Sequence, residues 1–587
     1  MGTPPLNLLT WLLAFSPIAV VLALMVGFRW GGKKAGPVGW VVALVVAWLF
    51  FGAGPDVLLT SQLRGILLTL YVLYIIWMAL VLYRVVDEAG AITVIGQGIA
   101  RLTAEPTMQL LLLAWAFSAF LQGVAGFGVP IAVVAPLLIG MGFAPVVAVA
   151  AVAIGHSWSV TFGDIASSFQ ALMAATGLPG EELAPWSALF LGLACFGCGV
   201  AAAWTLDGQR SLRQGWPALL SMGVLMAGVQ AGLAVSGLWN LAGFGAGLAG
   251  LAGGALIARL PRYQAANAHA ETQTGDRVQP EHFPTARAGP QSSEIAQSAQ
   301  WRRARAGPQS SAMVPDEQTE SASSKPQSSE TIRDRPKQAT PSLALALAPY
   351  LLLILVVSAA ELWPWLHEGL NQVQIRIRFS EVQTSYGWVT PAGVGRTISV
   401  FGHAGALLAY VSVISYAVYR WAGVYTPGVT RRIVQRTVKS AVPSAIGITA
   451  MVGMALAMDH SGMTYVLAEG LGKAAGPLYP LVAPFIGLLG AFMTGSNTNS
   501  NVVFAPLQQQ AAQLLQLSVP VILGAQTTGG SLGSMLAPAK LIVGCSTAGL
   551  AGQEGRVLKK TLLPGLIIAG VVGLLAWLVI SFGWGWQ

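Results

Sequence analysis

Apolar runs near or above the roughly 18 to 20 residues needed to cross a bilayer recur along the whole chain. They fall at about 38–53, 64–83, 107–122, 216–236, 238–258 and 478–494, and short polar loops separate them. This pattern predicts an all-α polytopic membrane protein of about 12 transmembrane helices. One region breaks it. Residues 259–341 hold 11 Lys/Arg and 9 Asp/Glu, much Ser, Gln and Pro, and PQSS three times, at 290–293, 308–311 and 326–329. Such composition buries too little apolar surface to fold. It predicts a disordered linker at 259–341 between an N-terminal membrane half, 1–258, and a C-terminal half, 342–587.

Composition agrees with this division. The chain is 54% hydrophobic and 9% charged, whereas a globular protein carries about 25% charged residues. Three cysteines exclude a disulfide framework. The first apolar run has no basic segment before it, so it reads as a retained span and not a cleaved signal. The net charge of +9 does not argue for nucleic acid, because Lys and Arg gather in cytoplasmic loops of membrane proteins. Arg29, Lys33 and Lys34, Arg84 and Arg101, Arg210 and Arg213, the linker, Arg431 to Lys439, and Arg556 to Lys560 mark one face as cytoplasmic. Both termini are then expected outside. The acidic loop at 178–186 and the long segment 362–398, with Trp363, Trp365 and Trp388, fall outside as well.

Two stretches interrupt the apolar sequence in matched order. FLQGVAGFGVPIAVVAPLL starts at Phe120, and FMTGSNTNSNVVFAPLQ starts at Phe492. Both begin F-x-x-G, cross a helix-breaking patch and reach A-P-L. Each is followed by a proline, Pro145 or Pro520, suited to open a helix. A second polar break comes next, GHSWSVTFGD at 155–164 or AQTTGGSLGS at 525–534. Loop charges orient the span before Gly123 outward and the span before Gly495 inward. The halves therefore read as inverted repeats, each with a re-entrant hairpin and a broken helix, an arrangement known from secondary transporters. Irregular backbone is tolerated at membrane depth only where protein or a water-filled cavity surrounds it.

Half-helices ending at mid-membrane present unpaired N–H groups and a positive dipole end, which suit an anion. The candidate substrate residues are Gly123, Gly126 and Gly128 in the first patch, and Gly495, Ser496, Asn497, Thr498, Asn499 and Asn501 in the second. Gln526, Thr527 and Thr528 are placed across the following break. Amides and hydroxyls bind a small polar solute without a fixed buried charge. An anion moving alone opposes the membrane potential, so a co-transported cation is expected. His156 and Asp164, eight residues apart, are the candidate proton groups and would share one side of a continuous helix. Asp459, His460, Asp87, Glu88 and Lys540 are further titratable groups. Cys195 and Cys198 form a lone C-F-G-C without a second ligand pair, and the GFG at 126–128 lacks a strand context. Neither a metal nor another cofactor is expected. The expected partners are a small organic anion, protons and the lipid bilayer.

Four stretches, GVAGFGVPIAVVAPLLIGMGFAP (123–145), SGMTYVLAEGL (461–471), GAFMTGSNTNSNVVFAPLQ (490–508) and TTGGSLGSMLAP (527–538), resemble the lactate permease family of bacterial secondary transporters. The resemblance implies proton-coupled uptake of short 2-hydroxy monocarboxylates such as lactate and glycolate, at a bacterial plasma membrane. The chain departs from the family pattern in the segment GHSWSVTFGDIAS, which lacks the more common asparagine, and at three single positions. Gln122 stands where the family has Glu, Asn497 where it has Asp, and Ser534 where it has Lys, with Lys540 six residues on. Since two acids have become amides, His156 and Asp164 are expected to take over protonation. A cation/proton antiporter, or a symporter of another organic anion, is the alternative on the same scaffold. No nucleophile or metal cluster points to an enzyme.

Overall fold

A computed structural model describes residues 6–28, 30–124, 126, 128–264, 340–550 and 552–583. Arg29, Ala125, Phe127, Ala551, the chain ends, and 265–339 of the expected linker lie outside the described residues. The architecture is helical. Among the described residues, 11 helices are long and apolar enough to cross a membrane, or 12 if one bent pair counts as a span. The protein is thus an all-α polytopic membrane protein, as the apolar runs predict.

The first half comprises α1 (Leu8–Leu22), α2 (Gly32–Phe50), α3 (Pro55–Glu88) and α4 (Ala91–Ala100). Next come α5 (Pro106–Val124), α6 (Val129–Gly140), α7 (Pro145–Gly155) and α8 (Gly163–Thr176). The long helices α9 (Gly180–Asp207), α10 (Gln209–Val235) and α11 (Trp239–Ile257) follow, and a single turn, α12 (Pro261–Gln264), buries Tyr263. The second half comprises α13 (Leu343–Leu362), α14 (Pro364–Leu370), α15 (Ala404–Trp421), α16 (Val429–His460) and α17 (Met463–Ala475). It ends with α18 (Tyr479–Thr494), α19 (Asn497–Leu514), α20 (Val519–Gly533), α21 (Pro538–Thr547) and α22 (Glu554–Ser581). Prolines in the first turn open α3, α5, α6, α7, α20 and α21, where the missing N–H costs nothing. Glu105 caps α5 by accepting from the N–H groups of Thr107 and Met108 at 3.0 and 2.6 Å.

The same order of elements occurs twice. A helix, a tight tip and a second helix (α5–α6 and α18–α19) precede a proline-opened helix that breaks (α7–α8 and α20–α21). The hairpins enter from opposite faces. Helix α3 has 34 residues and is about 51 Å long. Near its start the Arg64 guanidinium donates to Pro391 O at 3.0 Å, and at its end Glu88 meets Arg432 and Arg436. The base of α18–α19 lies at the Arg64 end, where Gln510 and Arg64 line one cavity. The base of α5–α6 lies at the other end, where Gly140 adjoins Arg101 and Gln109.

Two sequence expectations are corrected and one is met. The second polar break was placed at 525–534, but α20 remains helical through Gly533 and the chain turns at Ser534–Ala537. Its glycines permit close backbone approach instead: a Cβ on Gly529 would sit 1.8 Å from Pro484 O on α18. The break expected at 155–164 is present: α7 stops at Gly155 and the chain bends by 50° before α8, so His156 and Asp164 do not share one helix. The polar stretch from Gly495 is mostly not loop: only Gly495 (φ 72°) and Ser496 turn, and Asn497 opens α19.

The segment after α14 forms a small β lid, which no alternation in the sequence announces. Strands β1 (Gln374–Ile375), β2 (Arg378–Phe379) and β3 (Val382–Gln383) pair with β6 (Ile398–Ser399), β5 (Gly393–Val394) and β4 (Val389–Thr390). They form one nested antiparallel ribbon. Ser385 N–H donates to Gly52 O at 2.9 Å, and Trp388 Nε1–H to Asp459 O at 3.2 Å. These bonds tie the ribbon to α2 and α16.

Candidate functional site

The α7–α8 break lies at the centre of the bundle. Three residues after it, Asp164, Ile165 and Ala166, hold left-handed φ values of 54°, 53° and 58°. Each costs about 1–2 kcal/mol for a residue with a Cβ, and such strain gathers at functional sites. The Asp164 carboxylate accepts the Gly126 N–H at 2.7 Å. That places the acid against the tip of the first hairpin, where only glycine fits: a Cβ on Gly126 would lie 2.7 Å from Asp164 Oδ2. Gly128 makes the turn with φ 83°. Gly123 lies one turn back and packs on α11, where an added Cβ would meet the Phe244 backbone at 2.5 Å.

The second hairpin meets the same break from the other side. Asn497 Nδ2 donates to Thr161 Oγ1 at 3.0 Å and to Thr527 O at 3.3 Å. Thr161 Oγ1 donates onward to Thr527 O at 3.0 Å, and Thr161 N–H to Ser531 Oγ at 3.2 Å. Thr498 Oγ1 and Ser168 Oγ are 3.0 Å apart. Asn501 Nδ2 donates to Ser168 O and to Thr527 Oγ1, both at 2.9 Å. Since backbone carbonyls only accept, these contacts fix which side-chain atom is nitrogen. The oxygens of Asn497 and Asn501 therefore remain acceptors, and neither has a partner among the described residues. Asn497 Oδ1 points at Gly530, where a Cβ would come within 2.0 Å. The polar core thus gathers Asn497, Thr498, Asn501 and Thr527 with Thr161, Ser168 and Ser531, three residues that the sequence reading missed. Thr528 spends its hydroxyl on Gly524 O within α20. Gln526 meets Ser500 and Gln508 away from the break.

A cavity of about 300 Å³ opens beside the second tip, lined by Gly495, Ser496, Asn499 and Lys540. Ser496 caps α19 by accepting the Asn499 N–H, and the Asn499 Oδ1 has no partner among the described residues. Lys540 is 7% exposed, and its ammonium makes no hydrogen bond or ion pair among the described residues. Its charge reaches both Asp164 and His156. The His156 Nδ1 lies 2.7 Å from Val152 O, which makes Nδ1 the protonated nitrogen and leaves Nε2 free. His156 and Asp164 do not touch; Lys540 is the charge they share. The arrangement offers a cation and a helix N-terminus for an anion, amide oxygens for a hydroxyl, and a buried carboxylate for a proton.

The fold and this core define a polytopic helical membrane protein with two tip-and-break units closing on one polar centre. The L-lactate permease model matches residues 10–290 and 310–582, and the chain belongs to that family. It is 25% identical to the L-lactate permease of Bacillus subtilis, over 97% of this chain and 96% of that protein. It is 26% identical to the L-lactate permease of Salmonella typhimurium, over 97% and 95%. With the glycolate permease GlcA of Escherichia coli K12 it shares 24%, again over 97% and 95%. Among solved structures, the YdaH transporter of Alcanivorax borkumensis aligns at 14% identity and TM-score 0.43, covering 90% of this chain and 89% of that one.

Proposed function

We propose that the chain is a secondary active transporter that takes up a small 2-hydroxy monocarboxylate of the lactate and glycolate type together with a proton. The named relatives support the substrate class. The observation that carries the site is the cavity at the second tip, where the Lys540 ammonium and the Asn499 amide oxygen both stand without partners among the described residues. The substrate carboxylate sits on Lys540 and the first N–H groups of α19. Its 2-hydroxyl donates to the Asn499 amide oxygen. Asn497, Thr498 and Asn501 with Thr527 hold the two halves together around this seat, and the Gly126–Gly128 turn faces it from the first half.

Asp164 is the proposed proton carrier, with His156 Nε2 as a second acceptor. A proton on Asp164 removes the negative charge that Lys540 senses, so the lysine is released to hold the incoming anion more strongly. Proton and anion then load together. Loop charges favour an orientation with the Glu88–Arg432 end of α3 in the cytoplasm and the β lid outside. The termini follow on the outside, with the linker inside.

Uptake of labelled lactate, glycolate and unrelated monocarboxylates into proteoliposomes, with and without an imposed pH gradient, tests the function. Accumulation of a 2-hydroxy acid that rises with an inward proton gradient is expected. No uptake of any 2-hydroxy acid refutes the transport reading. Uptake that needs sodium and ignores pH refutes the proton.

A further inference from the structure

A second and larger cavity, about 920 Å³, lies beneath the β lid. Nothing in the transport reading uses it. Two arginines face it, Arg64 from α3 and Arg396 from the lid. Neither has a carboxylate within 4 Å among the described residues. Arg64 donates one N–H to Pro391 O and lies over Phe379; its Nε has no partner. Arg396 stacks its guanidinium over Tyr71, 4.2 Å from the ring centre, and its Nε is also unpartnered. Of the two acids that line the cavity, Glu361 lies 3.6 Å from His367, and Asp459 accepts from Gln510 at 2.9 Å while its charge also acts on Arg64, which leaves Arg396 as the guanidinium with no acid beside it among the described residues. Two guanidinium groups with free N–H donors in one walled cavity make an anion seat, and a planar fork matches a carboxylate.

The cavity lies at the end of the two helices that build the polar core. Gln170 on α8 lines it and is bonded to Tyr71 at 2.5 Å, while Ser168, two residues earlier, bonds the core residue Thr498. Gln510 on α19 lines it too, nine residues and about 14 Å beyond Asn501.

We propose that this cavity is an anion-capture vestibule, in which Arg396, assisted by Arg64, holds a carboxylate on the lid side before it passes between α8 and α19 to the core. The proposal rests on the transport reading for its substrate, but not for its charge preference. Stacking on Tyr71, which also lines the cavity, holds the Arg396 guanidinium at the cavity wall. Both arginines are half-buried at the edge of the lid.

The test uses a cysteine at Ala174, on the cavity wall, in the full chain in detergent so that both faces are open. The three native cysteines are buried and give little background. An anionic methanethiosulfonate is expected to label Ala174→Cys faster than a cationic one at low salt. Added Arg396→Gln lowers that ratio about tenfold, Arg396→Lys preserves most of it, and lactate slows the anionic reagent. In proteoliposomes, Arg396→Gln raises the half-saturating lactate concentration about tenfold with the maximal rate retained. An unchanged labelling ratio in Arg396→Gln overturns the proposal, as does a fall in maximal rate at constant half-saturation. If the parent chain transports no monocarboxylate, the transport reading fails, and the labelling ratio still decides whether the vestibule selects anions.

Discussion

The side-chain amide of Asn501 donates to Ser168 O and to Thr527 Oγ1, each at 2.9 Å. One amide therefore joins the hairpin of the second half to the broken helix of the first and to α20. Asn501→Ala removes both N–H donors, and with them the bonds to the Ser168 carbonyl and the Thr527 hydroxyl, which costs about 1–3 kcal/mol. Thermal unfolding in detergent is expected to shift down accordingly, with transport reduced at least tenfold. Unchanged stability and unchanged transport would show that this bridge is dispensable.

Glycine positions separate packing from function. Gly126→Ala would put a Cβ 2.7 Å from Asp164 Oδ2, and Gly530→Ala one 2.0 Å from Asn497 Oδ1. Both obstruct movable side chains of the core, so a folded protein with severely reduced uptake is expected. Gly529→Ala would drive a Cβ to 1.8 Å from the Pro484 carbonyl, a backbone atom that cannot turn aside. Loss of monodisperse protein on size-exclusion chromatography is expected for that variant alone.

Two lysines line the proposed seat: Lys33 is exposed and Lys540 is buried, and Lys540 has no acid within 4 Å among the described residues. Lys540→Gln keeps much of its length and loses its charge. Its half-saturating concentration for lactate is expected to rise about tenfold or more. Equal affinity in the variant, measured by inhibition of labelled uptake, would remove Lys540 from the seat.

Far from the core, Glu88 accepts from Arg432 at 3.0 Å and Arg436 at 2.7 Å, its side chain 6% exposed and theirs 34% and 45%. The half-exposed arginines are partly screened, so the bridge contributes less than a dry one. Glu88→Gln is expected to lower stability by about 1–3 kcal/mol in a detergent melt and leave lactate affinity unchanged. An altered affinity with normal stability would give Glu88 a part in transport instead.

The fold was legible wherever hydrophobic length carries the signal. Apolar runs and the paired F-x-x-G and A-P-L segments announce the helices and the repeated hairpins. The details that a broken helix depends on were less so. TTGGSLG reads as a break because glycine and polar residues also end helices; here α18 packs so closely on α20 that glycine is required and the helix continues. GHSWSVTFGD does break, and its Thr161 becomes the hub that joins Asn497 of the second hairpin to Thr527 and Ser531 of α20, yet nothing distinguishes that hydroxyl from its neighbours in the sequence. Lys540 appears displaced from the family position, but the turn at Ser534–Ala537 brings it back to the tip. The lid escapes a pattern search because its strands are two residues long, too short for an alternation to register.

Asp164 carries the central claim, since it joins the strained break, the first hairpin tip and the charge of Lys540. The most direct measurement is lactate accumulation by Asp164→Asn in proteoliposomes under an imposed pH gradient, beside exchange of internal for external lactate at equal pH. Asn keeps the shape and an oxygen to accept the Gly126 N–H, but carries no proton. Exchange retained with gradient-driven accumulation abolished is the predicted result. Accumulation that still follows the pH gradient in Asp164→Asn would contradict the account.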